Sequence, residues 1–217
     1  ISQVAQPILV EVNSERDRQV QVFRKMLRFT AFLAFPAMFG LGMVAHEFII
    51  VLISDKWANS IPLLRILCIS GAFLPFYTMY QNLMISRGKS NIYLWCTTTL
   101  IGVQLLLVLL CHSKGMIFMV SAYTMATVLW LFVWQYFANR EIGIRLWSVL
   151  LDIVPYIAVS LIVMTAIYYA TMTITNLYLL LVVRILLAAL LYFIVMKLLK
   201  SKMLDECVGF LLKKRRK

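Results

Sequence analysis

Six long apolar runs, divided by short polar or charged breaks, occupy most of the chain: Phe29–Ile53, Ile61–Ser86, Ile92–Cys111, Gly115–Ala138, Trp147–Ala170 and Leu177–Met196. Each is near or above the ~20 apolar residues that a helix needs to cross a hydrocarbon core ~30 Å thick, at ~1.5 Å per residue. No strand pattern interrupts them. Between Lys89 and Lys114, and between Lys114 and Arg140, no charged residue occurs. The pattern predicts an all-α integral membrane protein, a bundle of six transmembrane helices. The breaks Ser54–Ser60, Arg87–Lys89, His112–Gly115, Asn139–Arg145 and Thr171–Asn176 are short, so successive helices are expected to run antiparallel and side by side.

The flanks are amphipathic rather than spanning. In Asn13–Arg28, Val20, Phe23 and Leu27 recur at helical spacing among basic residues, which suits a segment on the membrane surface leading into the first span. Ile1–Val12 is apolar but too short to span, and reads as the tail of a preceding helix, so an upstream portion is expected. After the last run, Leu199, Met203, Leu204, Cys207, Val208 and Leu211 form one stripe before the closing Lys213–Lys217 run. A surface helix on anionic lipid is expected there. The organisation is therefore a connection over 1–28, a bundle over 29–196 and a basic tail over 197–217.

Charge gives the bundle a direction. The net charge of +12 would suggest nucleic acid in a soluble protein, but a chain with 63% hydrophobic and 14% charged residues is not of that class. Of its 21 Lys and Arg, five lie in Arg16–Arg28, two are Arg87 and Lys89, two are Arg140 and Arg145, and eight fall from Lys197 onward. All 17 share one side of a six-span topology, whereas Lys56, Arg65 and Lys114 fall on the other and Arg184 lies within a span. The positive-inside rule then puts both chain ends in the cytoplasm. Cys68, Cys96, Cys111 and Cys207 have no paired spacing and read as small hydrophobes, so neither a disulfide framework nor a metal site or other cofactor is expected.

No catalytic constellation emerges, and no extramembrane loop is large enough to carry one. The residues that could line a substrate path are the polar ones inside spans: Arg184, Asp152, Gln81, Asn82, Gln104, Tyr77 and Tyr80. Asp152 is about 8 Å deep from one face and Arg184 about 11 Å from the other, leaving a vertical gap near 11 Å, so the two are not expected to pair. Asp152 reads as an interfacial carboxylate. Arg184 reads either as snorkelling along its stem or as attracting a phosphate. Gln81, Asn82 and Gln104 suit interhelical hydrogen bonds, and Tyr77 and Tyr80 suit a polar lining or aromatic packing. His46 and Glu47 are read as interfacial, with the first span ending near Ala45; were it to run on to Ile53, Glu47 would lie about 9 Å inside.

The stretch Leu52–Tyr93 carries Trp57 near an outer turn, then Pro62–Leu67, Asn82 and the turn Arg87–Lys89, and upstream stand Pro7 and Phe23-Arg24-Lys25. In these features it resembles the polysaccharide transporters of the multidrug/oligosaccharidyl-lipid/polysaccharide exporter superfamily. A Ser stands at position 54 where that family usually has Gly. The resemblance implies a 12–14-helix, two-bundle exporter fold of which this chain is most of the second bundle, with a missing N-terminal helix bundle as its partner. It also implies a flippase in the bacterial inner membrane for undecaprenyl-diphosphate-linked oligosaccharides of O-antigen, capsule or exopolysaccharide. Alternatives are an ion-coupled multidrug or metabolite exporter of the same superfamily, which would want deeply buried carboxylates, and a membrane-embedded polysaccharide polymerase or ligase, which would want a large polar loop.

Overall fold

A computed structural model describes residues 16–199. The readings of Ile1–Val12 and of the tail beyond Leu199 lie outside the described residues. The chain forms α1 (Arg16–Met43), α2 (Ala45–Leu52), α3 (Ile61–Ser86), α4 (Ser90–Cys111), α5 (Met116–Ile142), α6 (Leu146–Ala170) and α7 (Leu177–Leu198), with 3-10 turns at Asp55–Ser60 and His112–Lys114. Six of these helical stretches are long and apolar enough to cross a membrane, and the described residues contain no strand. The protein is an all-α, multi-pass membrane bundle.

Local chemistry sets the helix ends. Pro62 falls in the first turn of α3, where its missing N–H breaks no helical bond. The Asn176 side chain accepts hydrogen bonds from the N–H groups of Tyr178 and Leu179 and so caps α7. Gly143 closes α5 in the left-handed conformation at φ 76°, its N–H donating to Asn139 O, and an added Cβ would meet Arg16 Nη2 at 2.9 Å. The first apolar run behaves differently from its sequence pattern. Its helix begins at Arg16, so the amphipathic segment and the span form one rod, and that rod breaks at Val44 before α2.

The helices do not pack in chain order. The lateral order is α4, α5, α3, α1, α6, α7, with α2 also set against α7. The hairpins α4–α5 and α6–α7 are close neighbours as their short turns require, whereas α5 and α6 touch little beyond their shared turn. Helix α1 is central because one face carries Phe23, Leu27, Ala31 and Phe35 at a spacing of four, and all four are fully buried. Phe23 meets Tyr80 edge-on at 5.3 Å and Phe35 meets Phe76 at 5.6 Å, while Phe32 on the adjoining face meets Tyr192 at 5.6 Å. Outward faces are apolar on the flanking helices, as with Leu94, Trp95, Leu109, Ile162 and Leu186. This suits hydrocarbon as the surrounding medium. Cys68, Cys96 and Cys111 are buried free thiols.

Candidate functional site: two buried ion pairs and a polar seam

An even number of spans brings the starts of α1, α4 and α6 to one end of the bundle, with the ends of α3, α5 and α7. This end carries ten of the fourteen described Lys and Arg and is called here the basic end. Arg24 of α1 donates from Nε to Asp152 Oδ2 at 2.6 Å and from Nη2 to Oδ1 at 3.0 Å, the two-point fork that guanidinium and carboxylate favour. Arg28, one turn further on, approaches Oδ1 at 3.8 Å. Asp152 is therefore not an interfacial carboxylate facing headgroups: its side chain is 7% exposed and ties α6 to α1.

The far end holds the second pair. Arg184 Nη1 donates to Glu47 Oε1 at 2.7 Å, with both side chains buried. Arg184 Nε donates to Thr171 Oγ1 at 2.9 Å, and the guanidinium lies 4.9 Å from the centre of the Tyr168 ring. The interfacial reading of Glu47 is corrected, because the break at Val44 turns α2 so that Glu47 faces α7. His46, the next residue, stays half-exposed with Nδ1 3.9 Å from Glu47 Oε1. Arg184 does not snorkel. Its charge is neutralised inside the bundle, and it does not pair with Asp152, in line with the vertical separation of the two.

Between these ends runs an uncharged seam. Tyr77 and Tyr80, three residues apart on α3, both turn toward α5: the Tyr77 hydroxyl donates to Thr127 O, and the Tyr80 hydroxyl to Gln135 Oε1 at 2.7 Å. Gln135 Nε2 donates on to Ile144 O at 2.8 Å, and Gln104 Nε2 of α4 donates to Thr127 Oγ1 at 3.1 Å. Asn82 is buried, and Gln81 is half-buried without a hydrogen bond to any described residue. The candidates thus divide into three groups: Asp152 at one end, Arg184 at the other, and Tyr77, Tyr80 and Gln104 on the seam. Sequence reasoning missed Arg24, Glu47, Thr171, Thr127 and Gln135 as partners. Among the described residues no cluster of His, Cys, Asp and Glu could hold a metal ion.

Two cavities flank the far half of α1. One, of about 510 Å³, is walled by Phe32, Pro36, Gly40, Ala188 and Tyr192 between α1 and α7. The other, of about 530 Å³, lies between α1, α3 and α6 and includes Arg65, Cys68, Thr165 and Tyr168.

Residues 1–62 match a family described as "Polysaccharide biosynthesis protein". A membrane protein from the cps region of Klebsiella pneumoniae, uncharacterised, is 28% identical over 42% of the chain and 19% of its own length. The lipopolysaccharide biosynthesis protein WzxC of Escherichia coli K12 is 25% identical over the same shares. The teichuronic acid biosynthesis protein TuaB of Bacillus subtilis 168 is 23% identical over 66% of the chain and 28% of its own length. The matched segments are thus less than a third of these relatives, and no solved structure matches the chain. Together these partial matches support a polysaccharide transporter family for this protein.

Proposed function

We propose that the protein to which this chain belongs moves undecaprenyl-diphosphate-linked oligosaccharide units across the bacterial inner membrane by alternating access. The units would serve O-antigen, capsule or exopolysaccharide. The observation that carries this reading is the likeness to polysaccharide-biosynthesis membrane proteins in a chain whose described connections are all short turns. A polymerase or ligase needs an extramembrane site to hold and activate a sugar, and such turns leave little material for one. In this scheme the chain supplies a second bundle against an N-terminal one, and both ends face the cytoplasm because the basic end follows the positive-inside bias. The tail, 197–217, adds attraction to anionic lipid.

The ion pairs give the scheme its mechanical parts. Arg24–Asp152 and Glu47–Arg184 hold α1 and α2 to α6 and α7, so rocking of the flanks passes through them. Gln81, half-buried and without a described partner, is the path candidate best placed to meet a sugar hydroxyl. Deleting the full-length gene should make lipid-linked repeat units accumulate on the cytoplasmic leaflet, read by extraction and by accessibility to an impermeant sugar-oxidising reagent. Normal surface polymer with no accumulation would overturn the assignment.

A further inference from the structure

At the basic end a cavity of about 350 Å³ opens between α1, α6 and α7. Arg28, Asp152 and Tyr156 give it a polar wall, and Pro155, Val159 and Met196 an apolar one. The charges do not balance. Arg24 and Arg28 both reach Asp152, so two cations share one carboxylate and the wall keeps a surplus of one positive charge. The sharing is also unequal. Arg24 takes both Asp152 oxygens in its fork, whereas Arg28 Nε stays 3.8 Å from Oδ1, bonds Arg24 O at 3.4 Å, and leaves its side chain 34% exposed.

A surplus guanidinium over an apolar wall, close to a helix end, matches one class of molecule in a membrane. Asp152 is about 9 Å along α6 from Leu146, the depth at which headgroup phosphates give way to acyl chains. A phosphate oxygen would complete the coordination of Arg28, and the chain below it would run along Val159 and Met196. A zwitterionic lipid offers the same phosphate but sets its own cation against two arginines.

We propose that this cavity is a binding site for an anionic phospholipid, with Arg28 as the phosphate ligand and α6 and α7 as the seat of an acyl chain. The proposal does not depend on the transport reading. Arg140, Arg145 and Lys197 lie at the same end and would attract anionic lipid diffusely, so the test must separate a site from a field.

Native mass spectrometry of the full chain in detergent, with dioleoylphosphatidylglycerol or dioleoylphosphatidylcholine added, does so. The expected result is one phosphatidylglycerol retained at least fivefold better than phosphatidylcholine. Arg28→Gln should lower that retention fivefold or more, the factor that ~1 kcal/mol per basic residue near a membrane corresponds to. Arg140→Gln, exposed at the end of α5, should leave it unchanged. Val159→Trp fills the apolar side without altering charge and should lower retention too, which keeps the test decisive if Arg28→Gln folds poorly. Equal retention of the two lipids, equal losses in Arg28→Gln and Arg140→Gln, or full retention in Val159→Trp would overturn the proposal. So would binding that appears only when residues 200–217 are removed, since the tail would then be the occupant.

Discussion

The two ends of the bundle use the same chemical device in opposite settings. At the basic end Arg24 grips Asp152 inside an unbroken stretch of α1, next to the buried stripe of Phe23, Leu27, Ala31 and Phe35, and the arginine side chain is 37% exposed. At the far end Arg184 and Glu47 are 5% and 6% exposed, α1 has already broken at Val44, and cavities of about 510 and 530 Å³ lie on either side. Removing a partner has different consequences in the two places. Arg24 can swing its head into water, whereas Arg184 has no such exit and would leave an uncompensated charge among apolar groups. The far pair is therefore the more brittle fastening, set in the looser half.

The largest effect is expected from Glu47→Leu or Arg184→Leu, each costing about 3–5 kcal/mol because one buried charge is stranded. The double variant should recover most of that loss, since two leucines leave no charge behind; denaturant unfolding of the purified full chain in mixed micelles would measure both. Additive losses in the double variant would mean that the pair does not act as a unit. Next comes Thr171→Val, which deletes the acceptor of Arg184 Nε and should cost about 2 kcal/mol, the range for hydrogen bonds to charged groups. Asp152→Asn should cost about 1–2 kcal/mol, because the half-exposed Arg24 can be hydrated. If that loss equals the loss in Glu47→Leu, the two ends are equivalent and the contrast fails. Smallest, Gly143→Ala should cost about 1 kcal/mol through its left-handed backbone and the crowded Arg16 Nη2. In export, Arg184→Ala should fall below Arg184→Lys, which keeps the charge beside Glu47; equal export in the two would detach the ion pair from transport.

The spans were legible because bilayer thickness and helical rise leave one length to look for, and Ile61–Ser86 and Leu177–Met196 match α3 and α7 closely. The first run was not, since Phe29–Ile53 is apolar throughout and only backbone geometry reveals the break at Val44. Depth arithmetic kept Asp152 and Arg184 apart. The same arithmetic puts Glu47 about 9 Å and Arg184 about 11 Å from one face, near enough to pair, provided that the first run is followed to Ile53. What hydropathy does not encode is which helices adjoin. That α7 sits beside α2, and α1 beside α6, depends on side-chain fit around Phe32, Phe35 and Tyr192, so the partners of all four charges stayed hidden. Gln104 and the two tyrosines were found by type, but Thr127 and Gln135, the residues they grip, carry no local signal.

Greasy rods in a greasy solvent gain little by choosing one rotational setting over another, because turning a rod merely trades one oily neighbour for the next. The hydroxyls of Tyr77 and Tyr80 remove that freedom for α3 and α5. Each engages a separate acceptor about one turn from the other, like two pegs in two holes, so neither swivelling nor sliding can keep both seated. This pins the middle of the molecule as a fixed keel, about which the outer rods must tilt if anything tilts at all.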